Sequence, residues 1–164
     1  MLLALISDTH DNVPATRAAI AALSAHAPDV YLHAGDLCAP LMLEHFATLP
    51  LHFVFGNNEW DHAELRSRAK TLNLHCHANL ADLEFAGKRV ALLHGHEQPL
   101  LHSLIHAGNH HYIIHGHTHV RRDERIHTTR IINPGAVHRA KPRSAALLNV
   151  MTDALTFVDV PVVD

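Results

Sequence analysis

The stretch His115-Gly116-His117-Thr118-His119 puts three imidazoles in five positions around one glycine. It is poor core material and good metal-binding material, because neutral imidazole is the commonest protein ligand for divalent transition metals. Histidine abundance weakens the signal taken alone, since 19 of the 164 residues are His. Four other stretches strengthen it: Asp8-Thr9-His10, Gly35-Asp36, Gly56-Asn57-Asn58 and His94-Gly95-His96. Each offers oxygen or nitrogen donors, and most set a glycine beside them, which lets the backbone turn sharply and approach a ligand closely. The donors are carboxylates, imidazoles and one amide oxygen, without thiolate. That mixture suits Mn²⁺, Fe²⁺, Co²⁺, Ni²⁺ or Zn²⁺ and argues against a structural zinc of the cysteine type. Two such ions ~3.5–4 Å apart, bridged by one carboxylate, form the usual clamp for phosphate-ester hydrolysis.

The elements that must position these residues follow from the apolar pattern. Leu2–Ile6, Val30–Ala34 and Leu51–Phe55 are short apolar runs, each ending in one of the donor stretches. Such runs read as buried strands. Between them, a helix starts near Asn12 and Pro14 and carries Ala19, Ile20, Leu23 and Ala27 on one face. Short helices are expected over Leu41–Thr48 and Asp61–Thr71. Alternating strand and helix implies parallel strands with helices packed on them, and ligands then gather at the carboxyl ends of the strands. In the second half, Leu80–Phe85 and Arg89–Leu93 flank Ala86-Gly87-Lys88 as a hairpin, and Leu93 leads into His94-Gly95-His96. Pro99–His106 is expected as a helix and His111–Ile114 as the strand that presents the opening motif. Arg121–His127, Arg130–Ile132, Ala145–Val150 and Leu155–Val160 read as antiparallel strands, with turns at Asn133-Pro134-Gly135 and Thr152-Asp153.

Bulk properties exclude several classes. A length of 164 residues suits one domain, taken as 1–164. The formal charge is −3 with no block of Lys or Arg, which disfavours nucleic acid or an anionic membrane as the main partner. No apolar run is long enough to span a bilayer. The chain opens on a strand without a basic leader, so no signal peptide is expected. Cys38 and Cys76 form no Cys-x-x-Cys pair and read as free thiols in a reducing, cytoplasmic setting.

The order Asp-x-His, Gly-Asp, Gly-Asn, His-Gly-His and Gly-His-x-His resembles that of the calcineurin-like metallophosphoesterases, and in particular their small single-domain prokaryotic phosphodiesterases. The resemblance covers nearly the whole chain. It implies a four-layer α/β/β/α sandwich of two mixed sheets. It implies that Asp8, His10 and His119 bind one divalent ion, that Asn57, His94 and His117 bind a second, and that Asp36 bridges them. Manganese is the first choice for the ions, with Zn, Fe, Ni or Co as alternatives. The reaction implied is in-line attack of a metal-bridging hydroxide on a small phosphoester.

The chain departs from the family where Asn58 follows Gly-Asn, a position at which many relatives carry a His that assists the leaving group. His96 is the candidate to take over proton donation. Glu59 replaces a frequent Asp, and Asp11 stands where Gly is common, either adding charge near the site or capping the helix. A diester with a good leaving group is the substrate least affected by Asn58. A phosphomonoesterase, a dinucleotide polyphosphate hydrolase, or a protein-assembly scaffold like the retromer subunit of the same fold are the alternatives. The scaffold departs from the full donor set, whereas this chain keeps it. A homo-oligomer is compatible with the small relatives.

Singly, Asp8, Asp36 and Asn57 read as cap or turn residues, and a lone His as a surface or hydrogen-bonded residue. His33 stands between these readings, beside Gly35-Asp36. His115 belongs to the strand rather than the ligands. His138 follows the Asn-Pro-Gly turn and reads as a bystander. Histidines outside the motifs, such as His52, His77 and His110, are expected in solvent. Arg121, Arg122 and Arg125 read as a solvated face rather than a phosphate clamp.

Overall fold

Leu3 and Leu5 leave one face of the first strand, Ala4 and Ile6 leave the other, and all four are fully buried. A strand with no polar face lies inside a sheet covered on both sides. The computed structural model, which describes residues 1–162, puts it there. β1 (Leu2–Ile6), β2 (Val30–His33), β3 (Leu51–Phe53) and β4 (His75–Cys76) run parallel. On the other side of β1 lie β10 (Ser144–Asn149) and β11 (Ala154–Asp159), both paired antiparallel, giving the order β11-β10-β1-β2-β3-β4. A second sheet comprises β5 (Leu80–Phe85), β6 (Lys88–Leu93), β7 (Tyr112–Ile114), β8 (Arg122–Ile126) and β9 (Thr129–Asn133) in the order β5-β6-β7-β9-β8.

Strand alternation sorts the apolar side chains into three cores. Ala4, Ile6, Leu51 and Phe53 face α1 (Val13–Ser24), α2 (His62–Thr71) and a 3₁₀ segment (Pro40–Phe46), meeting Leu23, Phe46 and Leu65. Leu3, Leu5 and Leu32 face inward against Val90, Leu92, Ile114 and Ile132 of the second sheet. Ala91, Leu93, Ile113 and Ile131 face α3 (Gln98–Ala107) through Leu101 and Ile105. The result is the four-layer α/β/β/α sandwich of two mixed sheets.

Local chemistry sets the helix ends. The Asn12 side chain accepts from Ala15 N at 2.9 Å, and the Asp61 side chain accepts from Glu64 N at 3.0 Å. Asn12, not Asp11, is therefore the α1 cap; Asp11 Oδ1 instead accepts from Ala39 N at 2.8 Å. α1 stops at Ser24, short of Ala27, which has φ +49°. Pro28 explains the early stop, because a proline disfavours helical geometry in the residue before it.

Two other expectations change, and one strand is unforeseen. Leu41–Thr48 is replaced by the tighter 3₁₀ winding over Pro40–Phe46, common in short connecting segments. β9 is antiparallel only to β8 and runs parallel to β7. The charged strand β8, with Arg122, Asp123, Glu124 and Arg125, takes the sheet edge, so the apolar β9 falls between it and β7. β4 is only two residues long and carries no apolar pattern to announce it.

Candidate metal centre

The five donor stretches follow the carboxyl ends of β1, β2 and β3 in one sheet and β6 and β7 in the other, so they converge at one end of the sandwich. Asp8, His10 and His119 bring ligand atoms close enough to share one ion, as do Asp8, Asp36 and His94. Asp8 Oδ1 lies 3.2 Å from His119 Nε2, and His10 Nε2 lies 3.4 Å from the same nitrogen. Asp36 Oδ2 stands between the groups, 3.5 Å from His10 Nε2 and 3.4 Å from His94 Nε2. Asn57 Oδ1 lies 3.1 Å from His94 Nε2. The exposed His117 ring packs edge-on against His94, with centroids 5.1 Å apart. His96 stands at the rim, its ring 5.4 Å from His94 and 6.2 Å from His117.

Hydrogen bonding at the back of the rings decides what faces the centre. His94 Nδ1 is 2.7 Å from the Ala34 carbonyl, which can only accept, so that nitrogen carries the proton. His119 Nδ1 similarly donates to the Arg139 carbonyl at 3.4 Å. In the neutral rings, both Nε2 atoms therefore present lone pairs to carboxylate and amide oxygens. Asp8 Oδ1 is buried without any hydrogen-bond partner. Acceptors aimed at acceptors, around an orphaned carboxylate oxygen, are the arrangement that a bound cation satisfies. The donor set and this geometry fit divalent metal.

The electrostatics follow the same logic. Burial raises the Asp8 carboxyl above its ordinary range, against the opposing pull of His94, Ser7 and His119. Burial would also raise Asp36, but the facing His94 imidazole and the hydrogen bonds from Asn58 prevail and hold it well below the usual carboxylate range. Burial works against a charged His94, yet the facing Asp36 carboxylate outweighs it and shifts the imidazole upward. Burial, with Glu59 and Asp11 nearby, pushes the Cys38 thiol up to about 12, so it stays protonated beside His10 Nδ1 at 3.8 Å.

Ser7 carried no sequence signal, whereas Asn58 and Glu59 stood out only as departures from the family pattern and Asn133 only as part of a positioning turn. Ser7 Oγ donates to Asp8 Oδ2 at 2.5 Å, and His117 N donates to the same oxygen at 3.1 Å. Asn58 donates to Asp36 twice, through its backbone N at 3.0 Å and its Nδ2 at 2.7 Å. Buried Glu59 accepts from Leu37 N, Cys38 N and Gly56 N, tying the β2 and β3 tips together. Asn133 Nδ2 donates to the Gly116 carbonyl at 2.8 Å and to Thr118 Oγ1 at 3.1 Å, which anchors the His-rich loop. Asp8, His10, Asp36, His117 and His119 all have positive φ, between 45° and 67°. Non-glycine residues avoid that region, and such strain concentrates at functional sites. At Gly56 an added Cβ would stand 2.2 Å from Asp36 Oδ1, so only glycine fits.

The remaining histidines divide. His33 is fully buried, with Nε2 3.2 Å from Thr9 Oγ1, and supports the Asp8-Thr9-His10 tip. His115 is buried under the loop, its Nδ1 3.1 Å from the Gly116 carbonyl. His52 and His77 are half-buried rather than in solvent, paired Nδ1 to Nε2 at 2.9 Å, and His110 is buried beside Asp82. Cross-strand neighbours and the second sheet cover these rings, which their sequence context does not reveal. Arg121, Arg122 and Arg125 pair with Asp159, Glu124 and Asp153, the solvated face expected of them. Trp60 is exposed. No helix among the described residues is long and apolar enough to cross a membrane.

Comparison with known proteins gives the family and the fold. The family model described as the calcineurin-like phosphoesterase superfamily domain matches residues 1–153. The phosphodiesterase MJ0936 of Methanocaldococcus jannaschii is 30% identical over 141 residues, covering 82% of this chain and 83% of that protein. The solved structure of an archaeal phosphodiesterase superposes with a TM-score of 0.90 at 24% identity, covering 97% of this chain and 99% of that one. Vps29 of Entamoeba histolytica, solved in complex with Zn²⁺, shares the fold with a TM-score of 0.68 at 18% identity, covering 98% of this chain and all (100%) of that one.

Proposed function

Because the chain belongs to the calcineurin-like phosphoesterase superfamily, we propose that it hydrolyses small phosphodiesters with divalent metal held at this centre. The observation that carries the reading is the set of lone pairs directed at one another around Asp8 Oδ1, which needs a cation. Asp8, His10 and His119 would hold one ion, and Asn57, His94 and His117 a second, with Asp36 between them. Bound there, such ions polarise phosphoryl oxygens and lower the pKa of an attacking water. Manganese is the first choice, since a mixed oxygen and nitrogen set without thiolate accepts it.

The chain's own residues do the rest. Ser7 and the His117 amide orient Asp8, and Asn58 orients Asp36. Diester hydrolysis breaks one P–O bond, and the departing oxygen needs a proton. An amide side chain at Asn58 cannot supply it at neutral pH, so that role falls to His96. Its imidazole stands at the rim, with Nε2 3.8 Å from Glu97 Oε1. Diesters with good leaving groups need this proton least, and the choice of diesters over monoesters rests on the phosphodiesterase relative.

The test is turnover of bis(p-nitrophenyl) phosphate with added Mn²⁺. Asp36→Ala is expected to lower it about a thousandfold, the equivalent of ~4 kcal/mol at the transition state. His96→Ala should slow alkyl diesters more than the nitrophenyl ester. Faster turnover of p-nitrophenyl phosphate would instead identify a monoesterase. Equal inactivity of both proteins across metals and substrates would favour an assembly role.

A further inference from the structure

The loop joining β9 to β10, residues 134–143, runs beside the metal centre. His138 N donates to the Asp8 carbonyl at 3.1 Å, and the Arg139 carbonyl accepts from His119 Nδ1 at 3.4 Å. Asn12 Nδ2 donates to His138 Nδ1 at 2.9 Å, and the His138 ring lies 6.4 Å from that of His10. Beyond this anchored end, the loop carries three cations in five positions: Arg139, Lys141 and Arg143.

Six of the other arginines are paired off, whereas Arg17, Arg66, Lys70 and Lys88, like these loop cations, make no ion pair among the described residues. Arg68, Arg89, Arg121, Arg122, Arg125 and Arg130 all make ion pairs with acidic side chains. Among the described residues, Arg139, Lys141 and Arg143 make none. Asp159, which lies across from Ser144 in the β10–β11 register, is taken by Arg121. Arg143 Nη1 is buried without a hydrogen-bond partner. The three cations, with His138, line a cavity of about 460 Å³, within the rough 300–1,000 Å³ range of small-ligand pockets. The Arg139 carbonyl, 3.4 Å from His119 Nδ1, sets this end of the cavity lining beside the donor cluster. Two other cavities carry basic residues: the one at Lys88 and Arg125 contains Asp153, which already neutralises Arg125, and the one at Arg66 and Lys70 is lined by α2, β4 and the turn between them, with no residue of the donor stretches or of the 134–143 loop.

We propose that the cavity lined by Arg139, Lys141 and Arg143 is a second anion subsite, which selects phosphodiesters carrying another phosphate or carboxylate away from the scissile bond. The proposal rests on the phosphodiesterase reading. Unpaired guanidinium groups bind such anions by forked, charge-assisted hydrogen bonds, and a neutral ester substituent leaves them unused.

Thymidine 5′-(p-nitrophenyl phosphate), with and without a 3′-phosphate, is the substrate pair that tests it. The 3′-phosphate is expected to raise kcat/KM by ~10-fold at low salt, and salt should shrink the gain by screening. In Arg139→Gln/Lys141→Gln/Arg143→Gln the ratio should fall toward one. Arg139→Gln alone, at an exposed position, should lower it partway and covers the case of a triple variant that does not fold. Calorimetry gives a readout without turnover: thymidine 3′,5′-bisphosphate should bind tighter than thymidine 5′-monophosphate, and the Arg139→Gln variant should narrow the gap. A 3′-carboxymethyl ester that gains as much as the phosphate supports a general anion subsite. A smaller gain supports a phosphate subsite. A wild-type ratio at or below one, or a preference unchanged in the variants, overturns the proposal while leaving diester hydrolysis intact. Loss of hydrolysis with both esters counts against the phosphodiesterase reading instead, and the binding arm then decides this one.

Discussion

Replacing Gly116 by alanine tests how tightly the centre is built. The new Cβ would stand 1.8 Å from Ser7 Oγ, 2.8 Å from Asp8 Oδ2 and 2.9 Å from Ser7 Cβ. The first contact is impossible, so Ser7 Oγ must leave the 2.5 Å hydrogen bond by which it holds Asp8. Overpacking a tight interior costs about 1–3 kcal/mol. Losing a hydrogen bond to a charged acceptor adds about 1.5–3 kcal/mol. Gly116→Ala should therefore lose about 3–5 kcal/mol, a large fraction of the roughly 5–15 kcal/mol that holds a domain folded. Urea denaturation measures this as a lower midpoint at an unchanged slope. Ser7→Ala, which loses only the hydrogen bond, should cost about 1.5–3 kcal/mol. The double variant removes the worst clash, so its loss should fall short of the sum by at least about 1 kcal/mol. Mn²⁺ affinity should also fall in Gly116→Ala, by about 10–100-fold, because Asp8 is displaced. A Gly116→Ala protein within about 0.5 kcal/mol of the parent, or strict additivity in the double variant, would refute the packing argument.

Asn58→Ala removes one of two donors to Asp36 and should weaken Mn²⁺ binding by about 10-fold in calorimetry; Asn58→Asp, which sets a second carboxylate against Asp36, should weaken it further. Burial pushes His33 down to about 3 and His52, beside His75 and His77, down to about 4. Both folded values lie below the unfolded one, so the unfolded chain takes up protons first, and stability present above about pH 6.5 is lost as pH falls toward 4. Thermal melts in EDTA should show this slope, and His52→Val should flatten it; an unchanged slope would count against the assignment. Arg130 grips Asp123 through Nε at 2.7 Å and Nη2 at 2.8 Å, and reaches Asp153 Oδ1 at 3.0 Å. Since both carboxylates are partly exposed, Arg130→Gln should cost only about 1 kcal/mol in urea, less at high salt.

Much of the site is legible because its information is local. Asp8, Asp36 and His94 each follow a short apolar run, and a run of that kind ends where a strand ends. Parallel strands bring such ends to one edge, so the five donor stretches point to one centre before any distance is known. The supporting residues are not legible in this way. Glu59 looks like a minor variant of an Asp, yet its carboxylate collects three backbone donors from two separate loops. Asn58 looks like a missing catalytic histidine, and its side chain turns inward to hold Asp36. Asp11 and Asn12 are equivalent candidates for the cap of α1, and only the path of the chain toward Ala39 separates them.

Donor type and strand alternation are properties of a residue and its immediate neighbours. The sequence by itself therefore determined which donor types follow the strand ends and, through the family resemblance that their order carries, the fold. Distances between residues a hundred positions apart depend on how the two sheets pack. Tertiary structure alone decided that His94 and His119 turn their protonated nitrogens outward to carbonyls and their lone pairs inward. It also decided that Asp8 Oδ1 is left without a partner, and that Gly116 has no room for a methyl group. The same packing carries the Arg139 carbonyl to the side of His119, 20 residues away in sequence.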